Sequence, residues 1–276
     1  MTEKGKIGVF DSGYGGLTIL TEIVKVLPDY NYIYLGDNAR SPYGTRSFEV
    51  VYQYSREAVK KLFGMGCDLV ILACNTASAK ALRTIQQKDL PIWAPEKRVL
   101  GVIRPSVEAL ARYTSNGHIG ILATSGTVAS ASYPLEIEKL YGPETFRITQ
   151  LACPMWVPLV ENNELSGAGV EFFVQKYVRQ LLEKDVAIDT VILGCTHYPL
   201  LKPLIARYLP RNVRLVCQGH IVAESLAAYL ERHVRMKEKL GRGGEIAYFT
   251  TDQAGLFERM AGIFMEREVV AESMIL

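Results

Sequence analysis

Short apolar runs alternate with longer amphipathic stretches along the whole chain. Residues 7–10, 32–35, 69–73, 100–103, 119–123, 148–151, 190–194 and 213–217 are apolar runs of strand length. They lack strict in/out alternation, which is the pattern of strands covered on both faces. Between them, residues 18–27, 48–64, 107–112, 130–141, 167–183 and 221–239 carry apolar positions at helical spacing. Strand and helix taking turns predicts an α/β fold whose sheets are mainly parallel and flanked by helices.

The pattern also repeats. Ile7-Gly-Val-Phe-Asp-Ser-Gly is matched by Ile119-Gly-Ile-Leu-Ala-Thr-Ser-Gly, and Val70-Ile-Leu-Ala-Cys-Asn-Thr by Val191-Ile-Leu-Gly-Cys-Thr-His. The order is the same in both halves, and a cysteine holds the same place in the second pair. A period this long is no solenoid repeat. It predicts two similar α/β domains related by a pseudo-twofold axis, with residues 1–98 and 209–276 forming a discontinuous first domain and 99–208 the second. Ligands of open parallel sheets sit beyond the carboxyl ends of the strands. Cys74 and Cys195 both fall at such ends, so the axis would set them on opposite walls of one interdomain cleft.

Composition narrows the partners. The formal net charge of the 276-residue chain is only +2, and no basic face interleaved with aromatics marks a nucleic-acid surface. No apolar run reaches the length of a membrane span. Residues 1–6 are polar and lead straight into the first strand with no hydrophobic leader, so a cytoplasmic protein is expected. The five cysteines are widely spaced and include no CxxC pair, which points to free thiols rather than to structural zinc or dithiol chemistry.

Three segments carry candidate chemistry. In Ala73-Cys74-Asn75-Thr76 a buried strand ends at a thiol, and Asn75 or Thr76 can cap the helix that follows. Exposed N–H groups at a helix start are expected to lower a thiol below its usual value of about 8.5. Gly194-Cys195-Thr196-His197-Tyr198-Pro199 repeats the design with a titratable ring. Within a strand, a cysteine and a histidine two apart make a poor nucleophile–base pair. Asp11-Ser12-Gly13-Tyr14-Gly15-Gly16 ends a strand in a close-approach turn. It does not have dinucleotide-loop spacing, because Thr18 stands where the last glycine belongs, and no GxxxxGK is present. Ser41-Pro42-Tyr43-Gly44-Thr45 reads as a turn, and Thr124-Ser125-Gly126-Thr127 places hydroxyls opposite Asp11-Ser12-Gly13 in the repeat. Read by itself, Glu161 is a surface acid. His118, His220 and His233 have no partner pattern, and Cys67, Cys153 and Cys217 read as core.

Taken together, these segments resemble the glutamate racemases. The matching elements are Asp11-Ser12-Gly13 with Gly15-Gly16-Leu17, Pro42-Tyr43-Gly44, Ala73-Cys74-Asn75-Thr76-Ala77-Ser78-Ala79, Pro158-Leu159-Val160-Glu161 and Gly194-Cys195-Thr196-His197-Tyr198-Pro199-Leu200. The resemblance implies a homodimeric enzyme that interconverts L- and D-glutamate for peptidoglycan synthesis and uses no cofactor, neither pyridoxal phosphate nor a metal. It implies that Cys74 takes the Cα proton of D-glutamate and Cys195 that of L-glutamate. Asp11 would assist the first thiol, and His197 with Glu161 the second. Asp11, Ser12, Tyr43, Gly44, Asn75, Thr76, Thr127, Thr196 and His197 would bind the substrate. The Asp-Ser-Gly segment argues against an aspartate- or hydantoin-specific relative, and the two intact cysteine segments argue against a binding protein without turnover. Tyr14, in place of a small residue, and Ile103-Arg104-Pro105-Ser106, in place of Ile-Glu-Pro-Gly, depart from the family pattern. Residues 90–98 read as an extra loop.

Overall fold

The computed structural model describes residues 4–276; residues 1–3, the start of the polar N-terminal stretch, lie outside it. Ten strands form two sheets: β1 (Lys6–Asp11), β2 (Tyr32–Gly36), β3 (Cys67–Leu72), β4 (Arg98–Gly101), β5 (His118–Ala123), β6 (Arg147–Ala152), β7 (Thr190–Gly194), β8 (Arg214–Val216), β9 (Ile246–Thr250) and β10 (Ala271–Ser273). The first sheet has the order β10-β9-β2-β1-β3-β4 and the second β6-β5-β7-β8. All the strand pairings are parallel. The run β2-β1-β3-β4 has the same order as β6-β5-β7-β8, so β1 corresponds to β5 and β3 to β7, as the sequence repeat expects.

The sheets do not divide the chain at 98/99 and 208/209. β4, Arg98–Gly101, completes the first sheet, while β8, Arg214–Val216, lies beyond residue 208 and joins the second. The chain therefore crosses between the halves after β4 and again after β8.

Burial explains the elements. β2 and β7 are buried at every position, consistent with helices on both faces of a parallel sheet. Helix Phe48–Gly64 buries Val51, Ser55, Ala58, Val59 and Leu62, one stripe at helical spacing, and Ser47 caps its start by accepting from Val50 N. The stretch read as one helix over 221–239 is two helices, Gln218–Arg232 and Val234–Lys239. They break at His233, whose backbone leaves helical geometry and whose ring stacks on Tyr229. Of residues 90–98, only 94–97 form a loop. Leu90–Trp93 is helical and continues the π-helical turn Ile85–Asp89, Leu90 is buried, and Arg98 opens β4. Pro91 falls just after the π-helical turn, and with no N–H it cannot donate back into that turn. Residues 100–103 are only half strand, since helix Ile103–Glu108 begins at Ile103. Among the described residues no helix is long and apolar enough to cross a membrane.

Candidate functional site

The carboxyl ends of β1 and β3 face those of β5 and β7 across a cavity lined from both halves. Ser12, Tyr43, Gly44, Cys74, Asn75 and Thr76 contribute from the first half, and Thr124, Cys153, Glu161, Cys195, Thr196 and His197 from the second.

The first wall is built on two strand ends. Asp11, the last residue of β1, is fully buried. Its carboxylate accepts from Gly13 N at 3.0 Å and from Thr196 Oγ1 at 3.3 Å, which ties the walls together. The glycines that follow make this possible. A Cβ on Gly15 would lie 2.2 Å from Thr196 Oγ1, and one on Gly16 would lie 2.6 Å from the Asp11 Cβ. At the end of β3 the chain turns into helix Asn75–Lys80. The cap is Cys74 itself, not Asn75 or Thr76: Ala77 N donates to Sγ at 3.5 Å. The thiol also meets Ser12 Oγ at 3.5 Å.

The second wall places Cys195 beside His197 after all. β7 ends at Gly194, so residues 195–197 form a turn rather than an extended strand. Cys195 Sγ lies 3.9 Å from His197 Nδ1, and His197 Nε2 lies 3.0 Å from Glu161 Oε1. Ser41 Oγ reaches the same carboxylate oxygen at 3.4 Å. Glu161 is thus a half-buried partner of the ring rather than a surface acid. Cys153 is not a core thiol alone; it lines the cavity as well.

The remaining residues differ in what they offer. Thr76, Thr124 and Thr127 form a triangle of hydroxyls across the interface, 3.0 to 3.3 Å apart. Thr127 is fully buried behind the other two and does not line the cavity. Tyr43 lines it, while its hydroxyl is given to buried Asp37, which also accepts from Arg40 Nε at 2.7 Å. Gly44 packs so closely on Thr124 that a Cβ would lie 2.9 Å from the threonine Cβ. No motif marks Asp37, Tyr133 or Gln218 in the sequence, the last two being partners of Asn75, and Ser41 stands out there only as part of a turn. The one cue among them is Asp37, which follows a strand end as Ser12 does.

Both family departures are absorbed into packing. The Tyr14 ring is buried against Phe257 and Phe264 of helix Ala254–Met265, and Phe264 meets the His197 ring edge-on with centroids 5.5 Å apart. Arg104 pairs with Glu108 and Glu136.

Charge is distributed unequally. Burial pushes the Cys74 thiol up to about 12, and the Asp11 carboxylate adds to the rise; the hydrogen bonds of Ser12 and Ala77 N only partly offset them. The lowering expected from the helix start is therefore reversed, because desolvation of the thiolate outweighs one N–H. Burial likewise raises Asp11, against the pull of His197. For His197 itself, burial disfavours the imidazolium, but Cys195 and Glu161 at its two ring nitrogens outweigh burial and hold the ring at about 10. Among the described residues, no group of three histidine, cysteine or acidic side chains is arranged to hold a metal ion.

The His197 shift has a stability consequence. A histidine raised from 6.5 to about 10 on folding contributes stability that is complete below pH 6.5 and lost as pH rises through 10. Cys74, raised from 9.0 to about 12, stays neutral in the fold while the unfolded thiol ionises, so it also weakens the fold above pH 9. Tm is expected to fall from pH 7 to pH 10, and His197→Gln to flatten that fall. A wild-type Tm constant over this range would contradict the ring's assigned environment.

A family model described as Asp/Glu/Hydantoin racemase matches residues 8–226. A glutamate racemase of Ruegeria sp. is 40% identical over 278 residues, covering 97% of this chain and 99% of that protein. Among solved structures, a glutamate racemase isoform from Bacillus anthracis superposes with a TM-score of 0.88 at 34% identity, over 99% of this chain and 98% of that one. The glutamate racemase of Francisella tularensis, solved in complex with D-glutamate, gives a TM-score of 0.86 at 30% identity, over 99% and 98%.

Proposed function

Because this chain belongs to the Asp/Glu/Hydantoin racemase family and, within it, stands with the glutamate racemases, we propose that it interconverts L- and D-glutamate by proton transfer between Cys74 and Cys195. The observation that carries the reading is the equivalence of the two thiols. Each lies just beyond the carboxyl end of corresponding strands, β3 and β7, and both line one cavity.

Racemisation removes a proton from one face of Cα and delivers one to the other, so two groups on opposite walls do it without turning the substrate over. One thiol must start as thiolate and the other as thiol, with the roles exchanged in the reverse direction. The surroundings support such a division. Cys195 has a proton partner in His197, itself backed by Glu161, and this side takes the Cα proton of L-glutamate. Cys74, held protonated by burial, delivers the proton on the other face. In reverse, Cys74 is the base toward D-glutamate, and the substrate ammonium brings the positive charge that its burial lacks. Asp11 assists from beside this thiol, although the group touching Sγ is Ser12. The carbanion is stabilised by hydrogen-bond donors, of which the cavity offers Ser12, Thr76, Thr196 and backbone N–H groups. Ser12, Tyr43, Gly44, Asn75, Thr76, Thr196 and His197 surround the substrate, with Thr127 acting from behind Thr76. The enzyme works in the cytoplasm as a homodimer, without added cofactor, and its D-glutamate supplies peptidoglycan synthesis.

The purified protein, given L-glutamate without pyridoxal phosphate or metal, is expected to lose optical rotation to zero, and D-glutamate to do the same from the opposite sign. No change with either enantiomer, or turnover of aspartate in preference, would contradict the reading.

A further inference from the structure

Asn75 reaches the cavity wall with its side chain already committed. Its Oδ1 accepts from the Tyr133 hydroxyl at 2.9 Å, and its Nδ2 donates to Gln218 Oε1 at 2.8 Å. Gln218 Nε2 in turn donates to the Tyr133 oxygen at 2.8 Å. The three side chains, all buried, close a ring in which each donates to the next. Two amides and a hydroxyl would complete such a ring equally well in the opposite sense with both amides turned over.

Ser106 and Val102 break that tie. The Val102 carbonyl can only accept, and it receives the Ser106 hydroxyl proton at 2.8 Å. With its one proton used there, Ser106 Oγ can only accept from a third group. The Gln218 atom 2.7 Å from Ser106 Oγ and 3.3 Å from Val102 O is therefore the amide nitrogen. That choice makes Tyr133 the donor to Asn75. The Asn75 carbonyl is then turned into the ring, and one N–H is left over.

We propose that Ser106, Gln218 and Tyr133 are positioning residues for substrate recognition: they hold Asn75 so that it meets the cavity as a hydrogen-bond donor, to a substrate carboxylate. The identity of that substrate rests on the glutamate reading above. Asn75 follows β3 of the first sheet, Tyr133 lies on helix Ser132–Tyr141 beside the second, and Gln218 opens the helix that follows β8. The ring thus closes only when the two halves are packed together, and the packing sets the amide. Ser106 belongs to the segment that departs from the family's Ile-Glu-Pro-Gly. A glycine in its place has no hydroxyl to fix the sense of the ring.

Gln218→Glu keeps the shape and turns the donor into an acceptor, while Tyr133→Phe removes the proton that Asn75 Oδ1 receives. Each is expected to raise Kd and KM for glutamate about tenfold, the scale of one hydrogen bond to a charged group, with kcat within about threefold. Ser106→Ala should raise both about threefold, as the loss of a neutral hydrogen bond. In an Asn75→Ala background Gln218→Glu should add nothing, because its effect passes through Asn75. Kd is read by titration calorimetry, which does not depend on turnover. A wild type that binds glutamate without racemising it would refute the racemase reading, and the variants' Kd values would still decide the ring. A wild type that binds no glutamate overturns both. Unchanged Kd in Gln218→Glu and Ser106→Ala, or an undiminished loss in the Asn75→Ala background, overturns the proposal. If Gln218→Glu does not fold, Ser106→Ala, which loses one hydroxyl, decides it.

Discussion

Replacing either Cys74 or Cys195 by alanine is expected to lower kcat/KM for racemisation on the order of 10⁴-fold, the upper end of what a positioned acid or base contributes. Both thiols are 6% exposed and lie just beyond the ends of corresponding strands, so each variant removes the one group that its wall presents at that position. The losses should be mirror images. With Cys74 gone, Cys195 can still take and return the Cα proton of L-glutamate, so solvent deuterium should enter L-glutamate alone. With Cys195 gone, exchange should be confined to D-glutamate. Cys67→Ala is the control, because that thiol is buried at the start of β3, at the opposite end from Cys74, and racemisation should survive it. Racemisation at the wild-type rate in either Cys74→Ala or Cys195→Ala would end the two-thiol mechanism.

The second large effect is expected from one added methyl group that touches neither thiol. A Cβ on Gly15 would lie 2.2 Å from Thr196 Oγ1, 2.5 Å from His197 Nδ1 and 2.8 Å from its Cε1. The Gly15 backbone, at φ −58°, suits any residue, so the conflict is one of contact alone. Thr196 and His197 sit on the opposite wall, next to Cys195, and they must move by several tenths of an ångström or more. A displacement of about 1 Å at reacting groups costs about 10²-fold in rate, and overpacking costs roughly 1–3 kcal/mol of stability. Gly15→Ala should therefore lower kcat about 100-fold, a loss larger than its effect on Tm would suggest. Gly262→Ala, whose Cβ meets nothing within 4 Å, should leave activity intact. Wild-type kcat in Gly15→Ala would mean that the walls are not held as closely as these contacts require.

Much of this arrangement is legible in the sequence because buried parallel strands are written as contiguous apolar runs. Ile7–Gly8–Val9–Phe10 and Val70–Ile71–Leu72 keep that signal because helices cover both faces. Their matches in the second half foretell the shared strand order. The strand ends follow, and with them Asp11, Cys74 and Cys195. What is not legible depends on where a run stops or on what lies far away in sequence. The contact of Cys195 with His197 turns on β7 ending at Gly194, one residue before the thiol. The raised Cys74 value comes from burial and from Asp11, 63 positions away, neither of which a local reading weighs. Strands β9 and β10 lie at one edge of the first sheet and are partly exposed; β10 is too short to leave a pattern. The Asn75 ring and the Ser106 hydroxyl that orients it unite four distant segments whose residues, taken singly, are ordinary polar side chains.

The most direct test of the two-wall mechanism is the isotopic content of both enantiomers early in a reaction of L-glutamate in D₂O. The two-thiol account expects the first D-glutamate formed to carry deuterium at Cα, because Cys74 delivers a solvent-derived proton. The L-glutamate recovered at the same time should still carry protium. D-glutamate that retains the original protium would mean that a single group carries the proton from one face to the other, and would contradict the assignment of Cys74 and Cys195 to opposite walls of the reaction.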